Sequence, residues 1–142
     1  MVLVLLAAGC GGKDEPKRSP LAESLAAVCE RARADTEALG LPGEKGFVVV
    51  KPTTEIGLRL ARDIKKLKGT TPAEKEQIAS IAEYYRFYWN EVRAGAKLYA
   101  AGQGLEVYAI TVDRAKGTLV SAEALATRMG SPECAVRPFP DK

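Results

Sequence analysis

Leu105, Tyr108, Val112, Ala115, Leu119, Ala122, Ala126 and Met129 recur along the chain at intervals that alternate between three and four residues. That alternation is the apolar seam of an amphipathic helix. A competing pattern occupies the same stretch. LEVYAITV is rich in β-branched and aromatic residues, and Lys116-Gly117 stands where a turn would lead into TLV as a hairpin. The two demands are incompatible, because a strand repeats every second residue and a helix does not. Strand alternation accounts for a few positions, whereas the heptad accounts for all 25 residues from 105 to 129. The spacing therefore predicts a helix over 105–130. An α+β arrangement with a short hairpin near 105–120 is the minority alternative.

A helix with one apolar seam needs other helices to cover it. Three more are legible. Ser19-Pro20 places a capping hydroxyl before a proline suited to the first helical position. Leu21, Leu25, Val28, Ala32 and Leu39 follow at helical spacing, and Gly40 ends a first helix over 20–39. Thr53 or Thr54 caps a second helix over 54–68, with Ile56, Leu60, Ile64 and Leu67 as its stripe. Thr71-Pro72-Ala73-Glu74 is a capping box with proline at the first position. It opens a third helix over 72–101 that aligns Ile78, Ala82, Tyr85, Trp89, Val92, Ala96 and Tyr99 on one face, before Gly102-Gln103-Gly104. The connection LPGEKGFVVVKP contains only four consecutive strand formers and then Pro52. It is expected to run extended across the helices, with a short strand as the lesser option. The expected fold is all-α, a four-helix bundle.

The N-terminus has a different character. Val2 to Ala8 is apolar but far shorter than the roughly 20 residues a membrane span needs. Small residues, Ala7-Ala8-Gly9, then precede Cys10. This resembles the lipobox of bacterial lipoproteins. The resemblance implies a signal peptide over 1–9, cleavage before Cys10, and attachment of a diacylglycerol to the Cys10 sulfur, whose thiolate is the nucleophile. Membrane lipid is then a partner through Cys10. Residues 11–19, GGKDEPKRS, carry no large apolar side chain and read as a flexible tether. The expected organisation is signal 1–9, lipidated cysteine and tether 10–19, and helical domain 20–142. The address is the extracytoplasmic face of the cell membrane, in a periplasm or at a cell surface.

With Cys10 assigned to lipid, Cys29 and Cys134 remain. In an oxidising exported compartment these two are expected to pair. The alternative leaves Cys29 as a buried thiol that packs like a small hydrophobe. Cys10, Cys29, Thr71-Pro72 and the run Met129-Gly130-Ser131-Pro132-Glu133-Cys134-Ala135 together resemble small helical lipoproteins of high-GC bacteria. That resemblance implies a disulfide-held four-helix bundle and no particular activity.

Function is the least legible level. The chain contains no histidine, which removes the commonest general base and neutral metal ligand. Two helical-domain cysteines cannot complete a structural zinc site, and no metal or cofactor is expected. No phosphate-binding or dinucleotide glycine motif occurs in the fold. Basic residues number 21 against 18 acidic, too balanced a ratio to suggest nucleic acid. The third helix crowds Tyr84, Tyr85, Tyr88 and Trp89 together with Phe87, which makes the first four the candidate contact residues. Packing of the same rings into the core is the alternative. Arg59, Arg62 and Lys66, with Lys65 adjacent, form a basic face on the second helix that suits anionic lipid or wall polymer, or simply solvent. Glu74, Glu76, Glu83 and Glu91 are scattered along the third helix without a convincing acid/base pair. The resulting expectation is a non-catalytic binding module for an extracytoplasmic protein, a wall component or a small apolar ligand. The alternatives are a soluble secreted helical protein, or an enzyme accessory or weak hydrolase working through the third-helix carboxylates.

Overall fold

The structure is a computed structural model that describes residues 17–40 and 46–135. Cys10, the expected signal and most of the expected tether lie outside the described residues. Four helices are present: α1 Pro20–Glu37, α2 Val50–Lys65, α3 Pro72–Ala100 and α4 Leu105–Arg128. Short 3-10 turns, Gly46–Val49 and Pro132–Cys134, precede α2 and follow α4. The described residues contain no strand. The hairpin alternative near 105–120 is thereby corrected. Ala115, Leu119, Ala122 and Ala126 of the seam are buried, and their packing outweighs the β-propensity of LEVYAITV.

The helix starts follow the capping chemistry. The Ser19 hydroxyl accepts a hydrogen bond from the Ala22 N–H at 3.1 Å, ahead of Pro20. The Thr71 hydroxyl accepts from the Glu74 N–H at 3.1 Å. The Glu74 carboxylate in turn accepts from the N–H groups of Thr70 at 2.7 Å and Thr71 at 3.1 Å. Gly102 and Gly130 end α3 and α4 in the left-handed region, with φ of 89° and 91°. These turns return the Gln103 and Ser131 N–H groups to the carbonyls of Leu98 and Ala126.

FVVVKP corrects a second expectation. Phe47 to Val49 belong to a 3-10 turn, and α2 starts at Val50 rather than 54. Pro52 does not block this start, because N–H groups of a first turn have no intrahelical acceptor to lose. Thr53 and Thr54 do not cap. Their buried hydroxyls donate back to the carbonyls of Val49 and Val50, each at 2.7 Å.

α3 is the centre of the bundle and packs on both α2 and α4, while α1 packs on α2. The C-terminal 3-10 turn touches both α1 and α4 and so fills the remaining seam. Cys29 and Cys134 form a disulfide there, with both residues fully buried. Ser131 donates to the Ala22 carbonyl at 2.7 Å, and the Tyr85 hydroxyl donates to the Cys134 carbonyl. Arg18 and Glu133 pair at 2.6 Å on the outside of the same seam. The end of the bundle where the N-terminal segment enters is therefore stapled. The opposite end holds Gly46–Val49, the last turns of α3 and the first turns of α4.

Candidate functional site

Three of the four candidate contact rings are core residues. Tyr85, Tyr88 and Trp89 are 0%, 5% and 4% exposed, so the packing alternative describes them and the contact reading is corrected to that extent. The cause is the position of α3 between two neighbours, which buries two of its faces. Trp89 packs directly on the backbone of Gly57 in α2, where a Cβ would come within 2.0 Å of the indole ring. Burial drives the Tyr88 hydroxyl up to a pKa of about 12, with smaller contributions from Tyr108 and Glu123. Tyr85 moves the same way, chiefly by burial and then through the Glu123 carboxylate. Both rings are held as neutral phenols. Tyr84 lines a concave surface.

That surface is a groove between α2 and α3, in two confluent parts. The larger part, about 700 Å³, opens toward the stapled end over a floor of Leu58, Ala61, Ala79 and Ala82, with Tyr84 among its lining residues. The smaller part, about 450 Å³, lies toward the opposite end between Phe47, Val50, Ala96 and Ala100. Leu58 and Arg93 belong to both. From Glu76 to Ala100 the groove follows α3 for about 36 Å at 1.5 Å per residue. Phe47 forms a fixed wall, because its ring stacks on Tyr99 at 4.1 Å and meets Tyr108 edge-on at 4.8 Å.

The rim is predominantly cationic. Arg62, Lys65, Arg86 and Arg93 line the larger part, and Lys51 and Lys97 join Arg93 at the smaller. Glu55, Glu76 and Glu83 are the opposing carboxylates. Among the ion pairs of the described residues only Arg86 of these cations takes part, with Glu83. The basic face expected on the second helix is thus divided. Arg59 crosses to Asp35 of α1 and Lys66 pairs with Asp63 at 2.9 Å, leaving Arg62 and Lys65 on the groove.

Of the α3 carboxylates, Glu76 and Glu83 line the larger part of the groove, while Glu74 belongs to the capping box. Glu74 is held below the usual carboxylate range by the Thr70 hydroxyl and by the Thr70 and Thr71 N–H groups. Glu83 is lowered by its hydrogen bond to Arg86. Groups kept ionised in this way are poor proton donors near neutral pH. Among the described residues no cluster of three or more His, Cys, Asp or Glu could hold a metal ion.

Sequence reasoning placed Arg62, Lys65 and Tyr84 near a functional surface but missed Phe47, Arg86, Arg93 and Lys97. A signal existed for three of these. Ala79, Glu83, Arg86, Asn90, Arg93, Lys97 and Ala100 recur at alternating intervals of four and three, a second seam on α3 that is polar rather than apolar. Compared with known proteins, the chain matches no family model, no curated protein and no solved structure.

Proposed function

We propose that this chain is a lipid-anchored extracytoplasmic protein, attached through Cys10, whose helical domain is a non-catalytic binding module. Its contact region is the α2–α3 groove, with Tyr84 as the member of the aromatic cluster that takes part. The observation that carries the binding reading is the groove itself: an apolar floor beneath a rim of cations of which only Arg86 is in an ion pair among the described residues. An apolar concavity with a few converging polar groups is the usual form of a ligand site. The buried Cys29–Cys134 disulfide supports export, since such bonds persist in oxidising compartments. No helix among the described residues is long and apolar enough to cross a membrane, and the proposal assigns attachment to Cys10.

Two measurements test the two halves. The mass of the mature protein from its native host should begin at a diacylglyceryl Cys10; an uncleaved Met1 refutes the anchor. A photo-crosslinking residue at Ser80, inside the groove, should capture a ligand or partner in cells, and capture should fall sharply in Arg62→Glu. Capture that is indifferent to Arg62 but lost on replacing Glu76, Glu83 and Glu91 with Gln would instead favour a carboxylate-dependent activity.

A further inference from the structure

The two parts of the groove differ in character, and the smaller is the more specific. Its walls are Phe47, Val50, Leu58, Ala96 and Ala100, with the Thr54 hydroxyl engaged by the Val50 carbonyl rather than offered to a ligand. Lys51, Arg93 and Lys97 stand at its edge against the single carboxylate Glu55, and none of the three cations is in an ion pair among the described residues. Arg93 donates to the Asn90 side chain at 2.7 Å, which orients the guanidinium at the junction of the two parts. At the same end of the bundle, Val48, Leu98 and Tyr99 are exposed apolar side chains.

We infer that this pocket binds a free single-chain anionic amphiphile of the fatty-carboxylate class. The inference rests on the binding-module reading and names the ligand class of that site. Size is the first argument. At about 30 Å³ per water-sized volume, the 450 Å³ pocket holds roughly 15 non-hydrogen atoms, enough for one medium chain. Chemistry is the second. The apolar wall takes the chain, with each buried methylene strengthening binding about fourfold. Charge is the third. Three cations against one carboxylate favour an anionic head and disfavour a cationic one.

The test uses the full chain carrying Cys10→Ser, so that no attached lipid competes, with ligands kept below their micellar concentrations. Titration calorimetry with dodecanoate should give saturable one-to-one binding. Dodecyltrimethylammonium, with the same chain and the opposite charge, should bind at least about tenfold more weakly. Ala100→Trp fills the pocket from an exposed position in the last turn of α3 and should cost at least about tenfold for dodecanoate. Lys51→Glu with Lys97→Glu leaves one cation against three carboxylates and should reverse the charge preference. Helicity by circular dichroism should match the parent in both variants. Equal affinity for the two head groups, indifference to Ala100→Trp, no saturable binding, or attachment only to phosphatidylglycerol vesicles overturns the inference. If dodecanoate fails while the Ser80 crosslink still captures an Arg62-dependent partner, the binding-module reading stands and only the ligand class falls.

Discussion

Gly57→Ala should destabilise this bundle even though alanine is the better helix former. Gly57 lies in the interior of α2, where replacing Gly by Ala ordinarily contributes about 1 kcal/mol. Here the added Cβ would fall 2.0 Å, 2.1 Å and 2.3 Å from three atoms of the Trp89 indole. Carbon atoms rest about 3.5–4.0 Å apart, so the helices or the ring must separate by roughly 1.5 Å. Trp89 is 4% exposed and flanked by Tyr88 at a ring distance of 5.0 Å, which leaves little room for rotation. Overpacking of this kind costs about 1–3 kcal/mol, and a contact this short belongs at the top of that range. After the propensity gain the net loss should be about 2 kcal/mol, or a Tm lower by roughly 6–12 °C for a domain of this size. Urea denaturation with the disulfide intact measures it directly, and Trp89, the only tryptophan, reports the site by fluorescence. Gly117→Ala is the matched control, since a Cβ there meets nothing within 4 Å. It should gain about 0.5–1 kcal/mol. If both variants shift stability in the same direction, the close packing of α2 on α3 at Gly57 is refuted.

Replacing Cys29 and Cys134 together with Ser opens a loop of 105 residues and should cost about 2–4 kcal/mol, read as a lower urea midpoint; an unchanged midpoint would deny the cross-link a stabilising role. Tyr85→Phe leaves the buried Cys134 carbonyl without the phenol that donates to it, and should cost about 1–2 kcal/mol by the same assay. Stability should also fall at high pH. Tyr88 titrates near 12 in the folded chain against 10.0 unfolded, and Tyr85 is raised too, so their contribution is intact below pH 10 and is lost as the pH climbs toward 12. Each tyrosine adds a slope of about 1.4 kcal/mol per pH unit in that window, and a flat urea midpoint between pH 10 and 12 would contradict their burial. Thr71→Ala removes half of the capping box and should lower stability by about 1 kcal/mol, detectable as fraying of the first turn of α3 in amide exchange.

Local chemistry was legible where it is self-contained. The Thr71–Glu74 box, the Ser19-Pro20 start and the glycine ends needed no knowledge of neighbours, and α3 and α4 begin at the expected residues. The start of α2 was less so, because Pro52 reads as a stop in isolation and is tolerated only once Gly46–Val49 has already turned the chain. The aromatic cluster shows a different limit. A single stripe on α3 anticipates Tyr85 and Trp89, yet Ile81, Tyr88 and Gly95 are buried as well. A helix covered on two sides has two apolar faces, and which helices flank it is a property of the assembled bundle. The groove was hidden for the same reason. Its floor is mostly alanine, and its walls come from residues as far apart in sequence as Phe47 and Ala100.

The distribution of constraint along the bundle bears on how an anchored module would work. At the end where residue 17 enters, the disulfide, the Ser131–Ala22 and Tyr85–Cys134 hydrogen bonds and the Arg18–Glu133 pair converge on one short turn. Toward the other end the Arg59–Asp35 pair ties α2 to the last turn of α1, and no disulfide joins the helices there among the described residues. There, Val48, Leu98, Tyr99, Leu105 and Ile110 are exposed, and the aromatic contacts of Phe47 hold the start of α2 against α3 and α4. Local opening is least costly where buried contacts are fewest. A chain tethered at the stapled end would therefore transmit little strain from the membrane into the groove. The pocket at Phe47 would then lie toward the end away from the attachment. Breaking the staple should then loosen α1 and the C-terminal turn first, while Phe47→Ala should unsettle the pocket without lowering protection of the Cys29 region in amide exchange.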